Sequence, residues 1–501
     1  MSIPVKQDKA RKIAGNKGRP AFVTPEYIAA QRAKREQAKL ERDSRNAELG
    51  IPVQQEENLN TSFIERPMLS VLSPEIKSTL PIGIDIKIMT YNVLGQALIR
   101  RSLFPTNGAI LKWKLRSKIL MLELARYNSD IMCLQEVDYG HLESFYVPQL
   151  LALGFQTMFH RGARKNHGLL ICWKSNLFTL SKYHQLDYDS DTGYDIPDGF
   201  NKPAKPQSVT RNVALIVALE FKNRSASTPA GVIVATTHLF WHPHGTFERT
   251  RQSAILVRNV NRFAKSIDPN LKWPVFIAGD FNSLPFDAPY LSMTRPESDR
   301  VTERSKFVLE NSFKHDYNLT PGVSEEAEEG QEIHEENDQE LHGGEESAKQ
   351  VVLMNEFLPE ISHPPVPVIS PNPVSKTTTI DDILKLHSNN NVYLRSLYGS
   401  CYGLVHPENV DYKQRNGEPH FSNWAHTWRG MLDYIFVVDY RPENKSSKRS
   451  KGYVVPGVDV LELLRLPMPD EMGPEPSGQP REGQYPSDHL CIMAKVHLTA
   501  A

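Results

Sequence analysis

Six apolar runs in this chain end or begin on a side chain able to hold a proton, a metal or a phosphate oxygen. Asn92 closes IKIMTYN, Glu136 follows IMCLQ, His238 follows IVATT, and Asp280 and Asn282 follow the strand-like start of PVFIAGDFNSLP. Asp433 opens DYIFVV after GML, and Asp488 and His489 stand just before LCIMAKV. A lone ionised carboxylate is very costly to bury, so acids at the ends of core strands must be paired, metal-bound or solvated in a cleft. For any one of them, a polar strand end capping a loop is the plain alternative. Six in one chain, each abutting a core run, point to convergence on an acidic pocket that holds two imidazoles.

Residue type narrows the chemistry. Aspartate, glutamate and asparagine offer oxygens, which suit Mg²⁺ or Mn²⁺ better than zinc. Hydrolysis of a phosphodiester asks for a metal to neutralise developing charge, a carboxylate to activate water, and imidazole or amide donors on the non-bridging oxygens. Asp280, Glu136, His238, His489, Asn92 and Asn282 supply those types. The rival reading is zinc on His238, His242 and His244 of HLFWHPH, but no cysteine stands nearby and Pro243 spoils a helical ligand pair. The two-apart spacing of Asp280 and Asn282 predicts one shared side if strand geometry continues past Gly279, which is read as letting the chain turn.

These residues need a rigid frame. IKIMTYNVL, DIMCLQEV, GLLICWK, NVALIVALEF, GVIVATTHLF, PVFIAGDFN, MLDYIFVV and HLCIMAKVHL read as buried strands, with amphipathic stretches at 112–127 and 248–265. Strands with intervening helices and several β-only connections predict a two-layered α/β sandwich. Before it, residues 1–80 form a basic extension: a disordered start, a charged helix from Thr24–Pro25 to about Glu48, then linker. Residues 81–501 form the catalytic domain, interrupted at about 320–375 by a disordered acidic and Pro-rich insertion and by smaller loops at 441–451 and 467–485.

The totals exclude some classes. With 40% hydrophobic and 23% charged residues, the chain suits a globular protein. No run of about 18 apolar residues is present, so no membrane span or membrane partner is expected, and the N-terminus lacks the apolar core of a secretory signal. Cys133, Cys172, Cys401 and Cys491 are far apart and read as buried free thiols in a reducing compartment. Residues 1–50 hold 12 Lys/Arg against 6 Asp/Glu, whereas 325–346 hold 11 acids and no Lys/Arg. A basic arm on a mildly basic body is compatible with a polyanion. It reads as an RNA tether or a nuclear address, which places the chain in the cytoplasm, the nucleus or both rather than in mitochondria.

TYNVL, LQEV, THLFWHP, GDFNSLP, LDYIF and PSDH occur in that order across residues 84–498. Together they resemble the endonuclease/exonuclease/phosphatase superfamily, which implies the fold of pancreatic deoxyribonuclease. THLFWHP and FSNWAHTWRGMLDYIF resemble the carbon-catabolite-repression and nocturnin deadenylase branch, and VTPEYIAAQRAKRE resembles the fungal Ngl RNA exonucleases. The resemblance implies that Glu136, Asn92 and Asp488 hold Mg²⁺, for which Mn²⁺ can substitute. It implies that Asp280 activates water with help from Asn282, that His489 held by Asp433 contacts the scissile phosphate, and that His238 donates to a phosphate oxygen. Pro243 and Trp428 would sandwich the terminal base, with Asn423 as a polar contact to base or sugar. Arg251 and Gln252 are read as opening a structural helix, with contact to phosphate as the alternative for Arg251.

Two departures stand out. His242 occupies a position where the deadenylase pattern has an acid, and no leucine-rich repeats precede the catalytic region. The expectation is therefore a free-standing Mg²⁺-dependent 3′→5′ exoribonuclease acting on single-stranded RNA 3′ ends, either ribosomal RNA precursors or poly(A). Pre-ribosomal particles would be engaged through the basic N-terminal helix. The alternatives are another phosphoesterase of this fold, acting on inositol phosphates or damaged DNA, or a non-enzymatic RNA-binding scaffold.

Overall fold

Period-two alternation along the core strands sends side chains to two faces, and both faces are covered. The computed structural model describes residues 64–99, 104, 108–191, 206, 208–296, 301–315, 379–390, 392–425, 428–440, 452–472, 479–481 and 484–500. The charged helix read at Thr24–Glu48, the acidic insertion at 320–375 and the basic loop at 441–451 lie outside these residues, as does part of 467–485.

An eight-stranded sheet runs in the order β1 (Met68–Ser70), β15 (Val458–Leu464), β16 (Ile492–Leu498), β2 (Ile84–Asn92), β3 (Ile131–Asp138), β5 (His167–Lys174) and β4 (Phe155–His160), with β14 (Tyr453–Val455) on β15. A six-stranded sheet runs β10 (Tyr393–Ser396), β13 (Asp433–Asp439), β9 (Val275–Asp280), β8 (Gly231–His238), β7 (Val213–Phe221) and β6 (Phe178–Asp187). A small hairpin pairs β11 (Asn423–Ala425) with β12 (Trp428–Gly430). The two large sheets pack face to face through Ile88, Cys133 and Ile171 from one and Leu215, Val217, Val234, Phe276 and Ile435 from the other. The opposite face of the first sheet, with Met89, Tyr91, Met132, Leu134 and Cys172, takes Leu120, Leu124 and Tyr127 of the helix Trp113–Tyr127. Ile255, Leu256, Val260 and Phe263 of the helix Thr246–Ile267 pack against the second sheet near β6 and β7. The α/β sandwich expected from the sequence is the fold observed.

Strand direction gathers the polar residues. Among the described strands only β2·β3 and β8·β9 pair in parallel, and these pairs sit within the two facing sheets. Asn92 and Glu136 therefore finish at one edge, and His238 and Asp280 finish at the matching edge, His238 directly opposite Asp280 in register. The residues that precede a strand belong to antiparallel neighbours. Asp433 begins β13 opposite Asp280, and Asp488 and His489 lead into β16, which runs against β2. Strand ends and strand starts thus meet at one rim.

Three details differ from the sequence reading. The ordered body starts before residue 81: β1 pairs with β15, and buried Arg66 donates through Nη2 to the Cys491 carbonyl at 2.8 Å and lies 3.7 Å from Glu123. That stretch offers only the short MLSVL between polar and proline-containing segments, and the sequence reading assigned it to linker. β6 was missed because it is an edge strand whose exposed residues break the apolar pattern. The chain also does not turn at Gly279, which lies inside β9. A Cβ there would sit 2.2 Å from the Thr237 carbonyl oxygen, so glycine serves close strand approach rather than a turn. The turn comes at Asn282, with φ +45°. All four cysteines are buried and free, and no helix among the described residues is long and apolar enough to cross a membrane.

Candidate active site

Glu136 reaches the rim by a local irregularity. The β3·β5 register shifts between Leu134 and Val137, and Glu136 takes φ +57°. A bulge of this kind re-aims a side chain, and a non-glycine residue in the left-handed region persists only where its surroundings hold it. Here Glu136 Oε1 accepts from Asn92 Nδ2 at 2.7 Å and Oε2 accepts from Gly95 N at 2.9 Å. Asn92 Nδ2 also donates to Asp280 Oδ2 at 3.0 Å, so one amide ties a carboxylate of each sheet. Its own oxygen accepts from Leu94 N at 3.0 Å, which makes Asn92 an organiser of the two acids.

Asp280 is 1% exposed and is approached from several sides. Its Oδ1 accepts from Asn282 N at 2.9 Å in a tight local turn, and the Asn282 side chain donates to the Leu239 carbonyl at 3.0 Å. The shared side expected from strand spacing is thus replaced by a backbone bond to Asp280. His238 Nε2 lies 3.5 Å from Asp280 Oδ2 and 4.0 Å from Glu136 Oε1. His489 Nε2 lies 3.6 Å from the same Asp280 oxygen, while its Nδ1 is 2.8 Å from Asp433 Oδ2. Ser422 Oγ donates to Asp433 Oδ2 at 2.7 Å, and Ser487 Oγ donates to the Asn92 carbonyl at 2.7 Å. Burial alone would push the His489 imidazole down, but Asp433 and Asp280 on its two nitrogens carry it well above its usual value. The two carboxylates favour its protonated form, with Nε2 aimed across the cleft.

These groups line one cleft of about 720 Å³. Glu136, His238, Asp280, Asn282, Asp488 and His489 face it, and so do the expected base contacts Pro243 and Asn423. The side chain of Trp428 lies outside the described residues. Arg251 is fully buried, paired with Glu248 at 2.6 Å and bonded to the Tyr188 carbonyl at 3.0 Å, so the structural reading of that residue is the observed one. Gln252 likewise holds the loop by accepting from Phe240 N at 3.1 Å. The zinc reading fails: His238 faces Asp280 and Glu136, whereas His242 is buried against Phe240 and His315 and pushed down to about 4, chiefly by burial. Sequence reasoning missed Ser422, Ser487 and Trp241. All three stood inside quoted motifs, Ser487 in PSDH, Ser422 in FSNWAHTWRGMLDYIF and Trp241 in THLFWHP, but no role was read for them.

A model of the Endonuclease/Exonuclease/phosphatase family matches residues 89–489. The chain belongs to that family. A probable RNA exonuclease of Schizosaccharomyces pombe is 39% identical over 506 residues, covering 99% of this chain and 91% of the relative. RNA exonuclease NGL2 of Saccharomyces cerevisiae is 36% identical over 524 residues, covering 98% and 92%. The resemblance to the fungal Ngl exonucleases therefore holds over nearly the whole chain, which is a nuclease of this family. The crystal structure of ANGEL2, a 2′,3′-cyclic phosphatase, in complex with adenosine-2′,3′-vanadate has a TM-score of 0.50 at 20% identity, covering 87% of this chain and 99% of that one, and speaks for the fold.

Nucleases of this family use a divalent metal, and the cleft fits one. Four carboxylates (Glu136, Asp280, Asp433 and Asp488) face two imidazoles. Burial pushes Glu136 and Asp488 up, and each also feels a second carboxylate, Asp488 for Glu136 and Asp280 for Asp488. Asp433 Oδ1 is buried with no hydrogen-bond partner. Uncompensated negative charge of this kind is relieved by a cation. Among the described residues, Asp280, Asp433 and His489 bring ligand atoms within 4.8 Å of one another. The 2.8 Å Asp433–His489 bond already occupies two of those atoms, however, so this trio is better understood as an imidazolium between carboxylates. Glu136 and Asp488 line the same cleft, with Asn92 bonded to Glu136, and these are the three residues that the sequence reading gave to a metal.

Proposed function

We propose that this chain is a Mg²⁺-dependent 3′→5′ exoribonuclease that releases 5′-nucleotides from single-stranded RNA. Its targets would be the 3′ ends of ribosomal RNA precursors or poly(A) in the cytoplasm, the nucleus or both, with pre-ribosomal particles engaged through the basic N-terminal arm. The observation that carries the reading is the convergence, in one cleft, of a water-activating acid, an imidazolium and oxygen donors suited to magnesium. The near full-length likeness to proteins named RNA exonucleases supports RNA as the substrate.

Mg²⁺ held at Glu136 and Asp488 would neutralise charge on the phosphoryl oxygens. Asp280 takes the proton of the attacking water, since Asn92 fixes its Oδ2 and the Asn282 N–H fixes its Oδ1. His489 and His238 present Nε2 donors to the non-bridging oxygens, and Asp433 sets the tautomer and charge of His489. Breaking the P–O3′ bond leaves the phosphate on the released nucleotide, and O3′ takes a proton from solvent water to end as the 3′-hydroxyl of the shortened strand. Pro243, Asn423 and Trp428 would contact the terminal nucleotide.

The test uses 5′-labelled RNA with and without an A-tail, assayed with Mg²⁺ and with chelator. Stepwise shortening that requires Mg²⁺ and disappears in Glu136→Ala is expected. Binding without cleavage would overturn the reading in favour of a scaffold, and hydrolysis of an inositol phosphate but not RNA would favour a phosphatase.

A further inference from the structure

The loop after His238 carries an aromatic ring for which packing gives no reason. Trp241 is 40% exposed, and of the tryptophans whose side chains are described it alone is exposed. It lines the catalytic cleft together with Pro243, Thr246 and Asn282. Indole is large and mostly apolar, so water-facing placement forgoes the burial that normally recommends it.

The backbone on either side is held fast. Leu239 N donates to the Asp280 carbonyl at 3.0 Å, and the Leu239 carbonyl accepts from Asn282 Nδ2 at 3.0 Å. Phe240 N donates to Gln252 Oε1 at 3.1 Å. Arg249 Nη1, from the buried face of the helix Thr246–Ile267, donates to the carbonyls of both residues that flank Trp241: Phe240 at 2.9 Å and His242 at 2.7 Å. His242 is buried and stacked against Phe240, with ring centroids 5.9 Å apart, and the Trp241 ring leans on His242 at 5.6 Å. Two buried side chains, Gln252 and Arg249, are thus committed to fixing a short loop whose exposed member is an indole on the cleft wall. A ring presented this way loses little freedom when something stacks on it.

We infer that Trp241 is an aromatic platform for a base of the RNA substrate, the one next to the scissile phosphate. The inference rests on the exoribonuclease reading and deepens it. Loop connectivity sets the position: Trp241 is three residues beyond His238, which faces the reacting centre, and the Asn282 side chain bonds the same loop. Every base has a flat π-face, so such a platform binds without selecting sequence. In this role Trp241 takes the face of the terminal base that the sequence reading assigned to Trp428.

The test combines a side-chain change with a substrate change. Trp241→Ala and Trp241→Phe are compared with wild type on a 5′-labelled RNA and on the same RNA with an abasic 3′-terminal residue. Loss of one base–aromatic stack predicts a fall in kcat/KM of roughly 5- to 150-fold for Trp241→Ala on the intact RNA, carried mainly by KM. Trp241→Phe, which keeps a flat ring, recovers most of it. On the abasic RNA the wild type loses a comparable factor, and Trp241→Ala then adds no more than about twofold, because ring and base are one interaction. Unchanged kcat/KM for Trp241→Ala on intact RNA overturns the platform while leaving the exoribonuclease reading intact. An equal fall on intact and abasic RNA also overturns it, since the loss is then structural. A wild-type enzyme that shortens neither RNA overturns both readings.

Discussion

Gly279→Ala adds one methyl group at a place where β8 and β9 leave no room for one. The added Cβ would meet the Thr237 carbonyl oxygen at 2.2 Å and the Thr237 nitrogen at 3.0 Å, against ordinary contacts of 3.4–4 Å. Both atoms are backbone in the paired strand, so neither can swing aside. Relief requires the strands to part locally by roughly 1 Å, and overpacking of this kind typically destabilises by about 1–3 kcal/mol. The neighbours of the clash are the two register partners His238 and Asp280, whose Nε2 and Oδ2 stand 3.5 Å apart. A displacement of that size at a reacting centre lowers kcat by about 100-fold. The assay is single-turnover cleavage of labelled RNA under conditions where circular dichroism shows the variant folded, with urea denaturation run alongside. Gly140→Ala is the control, since a Cβ there meets nothing within 4 Å. If Gly279→Ala kept wild-type stability and kcat, the close strand approach would not govern the site and the geometric argument would fail.

Two further outcomes follow from the electrostatics. Asp433→Asn removes the acid that holds the His489 proton, and loss of one charge-assisted hydrogen bond of about 1.5–3 kcal/mol lowers kcat roughly 10- to 150-fold. Because a raised imidazole is charged below its folded value and loses that charge as pH rises through it, the alkaline limb of the pH–rate profile should move to lower pH in the variant; coincident limbs would contradict the pairing. Glu418 stands four residues before Ser422 but faces Tyr290 rather than the cleft. It is buried, accepts from Tyr290 Oη at 2.8 Å, and is pushed by burial from 4.5 to about 7. Its neutral form therefore favours the folded state below about 4.5, and that contribution is lost as pH rises to about 7, on the order of 3 kcal/mol in all. Glu418→Gln does not titrate, so it should gain stability relative to wild type between pH 5 and pH 8 in urea titrations, whereas parallel profiles would refute the assignment.

Much of the site was readable because burial chemistry is local in sequence. A polar residue at the end of an apolar run is conspicuous wherever the chain goes, and Asn92, Glu136, His238, Asp280 and Asn282 declared themselves that way. Asp433, Asp488 and His489 did so by standing at the start of a run. The eight runs read as strands all entered the sheets, and both amphipathic stretches became helices. Elements outside those runs escaped: β1, β4, β6 and β10 at sheet edges, short β14, the interior strand β15, whose apolar VDVLELL was not read, and the helices Glu303–Lys314 and Ile380–Asn389 flanking the acidic insertion. Edge strands and surface helices bury only part of their side chains, so their patterns are diluted by polar residues.

Residue type, order and motif spacing by themselves pointed to the family, to nuclease chemistry and to most residues of the candidate site. Only the tertiary structure decided how those groups relate. Two parallel strand pairs in facing sheets bring four strand ends to one rim, and antiparallel neighbours bring strand starts to the same place. Asn92 became a tie between two acids, Arg251 a buried strut, and Gly279 a point of close approach, because each role depends on which distant backbone lies within about 3 Å, a reach set by hydrogen-bond and van der Waals contact. Trp241 shows the same limit from the other side. Its exposure, the one property that marks it, exists only once the rest of the chain has packed around it.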